Sequence, residues 1–494
     1  MKLASRLRPV AFTLGLLGVV SCSDDEEPQQ CSVADQNAWI DATMREWYLE
    51  SEQLPTLDPA AYDTPQAFLS ALTESVDLAP SSNIEARDRF SVVSELRVEQ
   101  NRVNNIFSGF GLLMQVEAGD SGRVLRILDV FGSFPGEAVS PASAAGLVRG
   151  DAIEQYDGEN VEDAFDLDRL MGLKFIFGFD VGETHRLNVR KLDGTLVEQD
   201  ITAAELMPTS VPVFKIFERG AETYGYVLFR DFDFASVEGL RKAFDLFAER
   251  GVTKLIVDQR YNLGGFVFVA DYLANLMLGN DLGGQEIIQR AETWNAMKSE
   301  QFDELSFFAT ASCPGFLADG DFACQGDVSG LSGLTRVAFI NSSNTASASE
   351  LILNSMRSHV DVGVVGGRSV GKPVGSAPFP GFATGEDSFC GLVLRPTTFR
   401  NVNADNEGDY FRGFVPDCPA PDDASAPLGD ETEASVAAAL QYLETGSCPQ
   451  DAGTGGGLTA EPVGRRILLD AERIYGYENS LARLRDEGLL YRKK

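Results

Sequence analysis

Two stretches of this chain read alike as strand, loop and helix, without repeating each other's sequence. Residues 254–278 read "KLIVDQRYNLGGFVFVADYLANLML" and residues 336–358 read "RVAFINSSNTASASELILNSMRS". Each opens with a short apolar run, turns through small residues, and continues with apolar positions at helical spacing. "YGYVLFRDF" followed by "SVEGLRKAFDLFAERG" precedes them, and "VGVVGGRSVGKPVG" follows. Strands alternating with helices bury both faces of a sheet, so the chain is constrained to an α/β architecture with parallel strands and functional groups on loops at strand ends.

This unit is part of a longer chain. At 494 residues the sequence exceeds one ordinary core, and its organisation is multidomain. The text supports six segments: 1–21, 22–30, 31–104, 105–208, 209–450 and 451–494. In residues 31–104, "AWIDATMREWYLESEQLP" puts Trp39, Thr43, Met44 and Trp47 on one helical face as core packing, and Pro65 stands at a first helical position. Residues 105–208 change to short β-like runs, with one helical segment at "DAFDLDRLMGL". Residues 290–333 read as an insertion rich in Gly, Asp and Cys. After the linker "PQDAGTGGG" comes a locally basic, helix-patterned tail of unread role.

Charge excludes one class of partner. With 74 acidic against 41 basic side chains the formal charge is −33, which repels phosphate backbones, so no nucleic-acid partner is expected. The first residues carry Lys2, Arg6 and Arg8, then the apolar run "VAFTLGLLGVV", too short to span a bilayer, then Ser21 and Cys22. Val19-Val20-Ser21-Cys22 resembles a bacterial lipobox. The resemblance implies a signal peptide over 1–21, lipidation of Cys22, an acidic tether over 22–30, and a place in the bacterial cell envelope, periplasmic and anchored to a membrane, the outer one being favoured.

Six further cysteines, Cys31, Cys313, Cys324, Cys390, Cys418 and Cys448, fit disulfides in an oxidising compartment, although six cysteines allow 15 connectivities. Proximity along the chain favours Cys313 with Cys324, Cys390 with Cys418, and Cys31 with Cys448. No CxxC pair occurs, so neither a zinc site nor thioredoxin chemistry is suggested; no metal and no cofactor are expected. "NADNEGD" at 403–409 is rich in oxygen ligands but lacks EF-hand spacing.

The run of small hydroxyl residues before "ELIL" raises the question of a nucleophile. If the helix starts near Ala348, Ser347 is its N-cap, beside orphan backbone N–H groups and the positive end of the dipole. Acyl transfer needs donors of that kind to hold an oxyanion; Ala348 is one candidate, and Gly264 and Gly265 of "NLGG" are others. Alternatively the hydroxyls merely cap a helix and the glycines merely turn the chain. A serine also needs a base. The chain has two histidines; His359 lies 12 residues on, about 18 Å along one helix, and His185 falls in the β-rich segment. Lys372 remains. A lysine base must keep its amine uncharged, at a cost of about 4 kcal/mol near neutral pH, which apolar burial can impose.

Taken in order, "VDQRYNLGG", "NTASASELI" and "VGGRSVGKPVG" resemble the C-terminal processing, or tail-specific, peptidases, which use a serine/lysine dyad. In that family the nucleophile is the first serine of a Ser-Ala-Ser-Glu run and the base lies 25 residues later in a Gly-Lys pair. Ser347-Ala348-Ser349-Glu350 and Gly371-Lys372 match, as does the spacing from 347 to 372. "DRFSVVSE", Asp88 to Glu95, is similar to a stretch of the same family. The resemblance implies a crotonase/ClpP-like α/β catalytic core at 209–450, polypeptide substrates with C-terminal or unfolded segments, and leaves Ser343 and Ser349 as lesser candidates. The chain departs at Ser376, where many members carry glutamine, and at Ser358, where some carry aspartate; the lysine's orientation then falls to Ser376, Ser369 or Glu350. "SPASAAGLVRGDAIEQYDG" at 140–158 resembles a PDZ domain of the bacterial protease type, which implies peptide-carboxylate recognition by Gly109, Phe110, Gly111 and Leu112. The competing expectation is a weak or inactive lipoprotein that binds polypeptide C-termini. Oligomeric state is not legible.

Overall fold

The structure is a computed structural model that describes residues 31–78, 87–119, 122–161, 180–278, 287–307, 315–316, 322–323, 330–379 and 389–449. Its largest α/β unit is a six-stranded sheet in the order Val213–Arg219, Glu222–Leu228, Lys254–Asp258, Arg336–Asn341, Asp361–Gly366, Cys418–Pro419. The first pair is antiparallel and every later pair is parallel, as the strand–helix alternation predicts. Successive side chains of a strand point to opposite faces. Leu255 and Val257 therefore join Phe244, Leu273 and Ile352 of three helices, Ser236–Glu249, Val267–Leu278 and Ala348–Arg357. Ile256 between them packs on the other face with Leu440 and Leu443 of the helix Ala434–Thr445. Both faces are covered, which is why these strands read as unbroken apolar runs.

The stretch read as an insertion contributes a second sheet. Ile288–Trp294 is an inner strand of four, between Glu304–Phe307 and Thr397–Asn403, with Val374–Ser376 at the far edge. Polar alternation in "IQRAETW" disguised it, because the buried polar residues Arg290 and Glu292 pair with each other at 2.6 Å while Arg290 also meets Asp271.

The N-terminal helix Val33–Trp47 opens with a Ser32–Asp35 capping box, and Thr64 caps the helix Pro65–Thr73 with Pro65 at its first position. The tryptophan stripe packs as expected: Trp39 stacks on Phe389 at 5.1 Å and Trp47 lies 4.9 Å from Phe379. These helices share one apolar cluster with Val374, Leu392, Leu394 and Phe411, so they buttress the second sheet.

Two disulfides differ from the proximity expectation: Cys31 pairs with Cys390 and Cys418 with Cys448. Neither Cys390–Cys418 nor Cys31–Cys448 forms, because Cys418 starts the strand beside Asp361–Gly366 while Cys390 sits by the N-terminal helices. Folded distance decides pairing. Cys313 and Cys324 lie outside the described residues, as do the signal segment with Cys22, the tether, "DAFDLDRLMGL" and the tail.

A separate antiparallel sheet follows the order Leu112–Gly119, Gly122–Val130, Ala152–Tyr156, Thr184–Arg190, Leu196–Thr202, with the helical turn Pro141–Ala144 capped by Ser140 and the pair Phe107–Gly109 and Ala204–Leu206 beside it. Among the described residues Leu112–Gly119 is one of its two edge strands. Among the described residues polar contacts fasten this β-rich module to the α/β unit. Asn105 and Ser210, flanking it, both donate to Asp233, at 2.8 and 2.6 Å. Arg230 meets Asp129 at 2.7 Å and Glu137 at 2.6 Å. Arg149 binds Asp422 and the Ala426 carbonyl.

Candidate active site

The strand Arg336–Asn341 ends in a loop whose hydroxyls are committed one after another. Ser342 Oγ accepts the N–H groups of Tyr261 and Asn344, Thr345 Oγ1 donates to the Gln259 carbonyl at 2.9 Å, and Ser349 Oγ donates to the Asn262 carbonyl at 3.0 Å. Ser349, fully buried and bonded, is held as a strut. Ser347 is different. It is half-buried, and its backbone sits at φ 57° and ψ −117°, a conformation that costs a non-glycine residue about 1–3 kcal/mol. The loop holds it there through the Ala346 N–H on the Asn262 carbonyl, at 3.0 Å, and the helix that begins at Ala348.

Glu350 is the hub of the site. Its fully buried carboxylate accepts the N–H of Ser347 at 3.1 Å, the N–H of Gly371 at 2.7 Å, the N–H of Lys372 at 2.8 Å and the Ser369 hydroxyl at 2.5 Å. One carboxylate thus ties the helix-cap serine to the loop that carries the lysine. Of the three residues considered as lysine orienters, Glu350 acts on the Lys372 backbone, Ser369 spends its hydroxyl on Glu350 and on the Phe414 N–H at 2.8 Å, and Ser376 lines the cleft beside Lys372. The Lys372 Nζ lies 5.6 Å from the ring centre of Phe90, which comes from the "DRFS" stretch. Asp88 turns that stretch by accepting the N–H groups of Phe90 and Ser91.

Ser347, Lys372, Gly264, Gly265, Ser376 and Phe90 line one cleft of about 170 Å³. Gly264 touches the serine: at φ 103°, a Cβ there would lie 2.6 Å from the Ser347 Cβ and 2.8 Å from the Ala348 nitrogen. Its N–H is bonded to Asn262 Oδ1 at 2.9 Å, so Gly264 is corrected from oxyanion donor to close-contact residue. The N–H groups of Gly265 and Ala348 have no acceptor among the described residues. Such a pair, beside a hydroxyl and an amine, can stabilise an oxyanion formed by acyl transfer. Asn262 shapes the whole turn, with Nδ2 on the Phe229 carbonyl at 2.9 Å, and was visible in "YNLGG" only as a loop residue.

Burial raises the Glu350 pKa and the four donated bonds pull it down, leaving it at about 7. Between its usual 4.5 and about 7 the folded chain therefore holds a proton that the unfolded chain releases. The group's contribution to stability falls as pH rises through that window, by up to about 3 kcal/mol. Urea denaturation of the wild type across pH 4.5–7.5 should show this fall, and Glu350→Gln should flatten it; an unchanged slope would assign the effect elsewhere.

Neither histidine belongs to the site. His185 bonds Asp157 at 2.8 Å within the β-rich module, and His359 follows the far end of the helix that starts at Ala348. Among the described residues no three His, Cys, Asp or Glu side chains are placed to hold a metal, and Asn403 of "NADNEGD" turns its own loop by accepting the N–H groups of Asp405 and Glu407.

The class is that of a serine peptidase. Residues 223–419 match the model for peptidase family S41, and residues 35–92 match that for the peptidase S41 N-terminal domain; the chain belongs to this family. Neither match covers the β-rich module. Among solved structures, a putative S41 protease from Bacteroides fragilis NCTC 9343 is similar at 22% identity and a TM-score of 0.62, over 82% of this chain and 97% of that one. The photosystem II D1 C-terminal processing protease is similar at 16% identity and a TM-score of 0.46, over 79% of this chain and 94% of that one. No curated protein matches the chain.

Proposed function

We propose that this serine peptidase is an endopeptidase of the C-terminal processing type, with Ser347 as nucleophile and Lys372 as base. The observation that carries the assignment is the Glu350 carboxylate, which holds the backbones of both residues against one cleft. Ser347 Oγ forms a bond to the scissile carbonyl carbon while the Lys372 amine takes its proton, and the N–H groups of Ala348 and Gly265 stabilise the oxyanion. As the C–N bond breaks, the ammonium returns that proton to the leaving amine. Water then attacks the ester, again giving a proton to Lys372, and Ser347 is restored with release of the acid. A serine-directed fluorophosphonate should label Ser347 alone, located by peptide mapping, and Lys372→Ala should suppress the labelling; label on Ser343 or Ser349, or none, would overturn the assignment and leave a holder of polypeptide ends.

The β-rich module is read as PDZ-like, capturing a polypeptide C-terminus. Its edge strand Leu112–Gly119 supports that reading, as does the loop before it, where Gly111 at φ 83° has no acceptor for its N–H among the described residues and a Cβ would meet Ser140 at 2.5 Å. Amidating the C-terminus of a peptide substrate should then raise KM about tenfold with kcat little changed; equal KM values would remove the capture role.

The two disulfides support an oxidising compartment, consistent with export and lipidation at Cys22 in the bacterial envelope. Among the described residues no helix is long and apolar enough to cross a membrane. A shift in the mass of the mature chain upon Cys22→Ser tests the anchor.

A further inference from the structure

Loop 409–417 has two sides. The inner side clamps the lysine loop: Phe414 N–H donates to Ser369 Oγ at 2.8 Å, Ser369 N–H donates to the Phe414 carbonyl at 3.2 Å, and a Cβ on Gly413 would lie 2.0 Å from the Ser369 carbonyl oxygen. Ser369 in turn holds Glu350. The outer side opens a second hollow of about 500 Å³, bounded by the strand Asp361–Gly366 and by Arg357 at the end of the serine helix.

The lining of this hollow is specific in its chemistry. Arg357 and Arg412 are both exposed, and neither guanidinium meets a carboxylate within ion-pair distance among the described residues, in a chain with 74 acidic side chains. Arg357 lies 5.5 Å over the Phe414 ring, which leaves the edges of its guanidinium able to donate. Asp409 is exposed on the same rim, as is Asp417, whose Oδ2 accepts the Val364 N–H at 2.9 Å. Val362, Val364 and Val415, the last 58% exposed, give an apolar wall. The hollow therefore offers cations for a carboxylate, an anion for an ammonium, and apolar surface between, in a volume that suits two or three residues.

We propose that this hollow is a second ligand site that takes short free peptides carrying both charged termini and an apolar side chain. Such molecules are what peptide hydrolysis releases, so the source of the ligand rests on the peptidase reading, whereas binding itself does not. A bound peptide would bear on the loop that backs Ser369, Glu350 and Lys372.

The test is calorimetric titration of the full-length Ser347→Ala chain, which cannot turn the probe over, with the dipeptide Ala-Leu, its N-acetyl form and its C-terminal amide. Ala-Leu should bind saturably, each capped form about tenfold or more weakly, and Arg412→Ala or Arg357→Ala should weaken Ala-Leu about tenfold at unchanged melting temperature. Three results would overturn the proposal: no saturation by about 10 mM, N-acetyl-Ala-Leu binding as tightly as Ala-Leu, or indifference to both arginine substitutions. The second would point instead to the carboxylate loop at Gly111. None of the three bears on fluorophosphonate labelling of Ser347 in the wild type, so failure of the site and failure of the dyad are told apart.

Discussion

Ser347→Ala and Lys372→Ala are each expected to lower kcat/KM for an unstructured peptide by about 10⁴-fold or more, with the double variant no worse than the more damaged single one. Non-additivity is what the proposed dyad requires, since in it the hydroxyl and the amine work as one unit and removing either leaves the other without a proton partner. The fold should survive both changes. What anchors Ser347 is its backbone, the N–H on Glu350 and the carbonyl that accepts Leu351 N–H at 2.8 Å. What anchors Lys372 is its own N–H on the same carboxylate. Alanine keeps all of these, so circular dichroism and urea midpoints should stay near wild type. Turnover within tenfold of wild type in either variant would remove that residue from the chemistry.

Arg260→Met should destabilise the α/β unit by about 3–5 kcal/mol. Arg260 is 1% exposed and meets Asp258 at 2.7 Å and Glu433 at 2.9 Å, both fully buried, as well as Asp422 at 3.0 Å. Burial works against its charge, and the three carboxylates outweigh burial, so its pKa is raised. Methionine fills similar space but strands two carboxylates in the interior without a cation. The loss should appear as a lower urea midpoint with an unchanged slope, and Arg260→Met combined with Asp258→Asn and Glu433→Gln should recover part of it. A shift below about 1 kcal/mol in the single variant would show that these carboxylates find other compensation. Activity should fall as well, because Tyr261 and Asn262 follow directly and the Tyr261 hydroxyl donates to Asp422, a partner of Arg260.

This cluster bears on what a sequence reveals. "DQRYNLGG" displays Asp258 and Arg260 two residues apart, but their partners Asp422 and Glu433 lie more than 160 positions on, and nothing local announces them. The same holds for the strand Ile288–Trp294: its polar residues looked like loop because the pairing that lets Arg290 and Glu292 be buried is made only in the fold. Cysteine pairing failed for a related reason, since Cys31 and Cys390 are 359 residues apart and meet only when the N-terminal helices dock.

What this chain's text determined by itself was local and periodic. Apolar runs of strand length alternating with helical spacing define the parallel sheet, because backbone hydrogen bonding and burial on two faces admit no other economical arrangement. The spacing from Ser347 to Lys372 and the capping position of Ser347 are likewise local properties. Tertiary structure alone decided which groups remain available for chemistry. Asn262 takes up the Gly264 N–H and leaves that of Gly265, Ser349 is spent on a carbonyl, and Glu350 faces the backbone of Lys372. Ser349 and Asn262 are 87 residues apart and Glu350 and Lys372 are 22, and a buried polar atom bonds whichever partner the packed segments bring within reach.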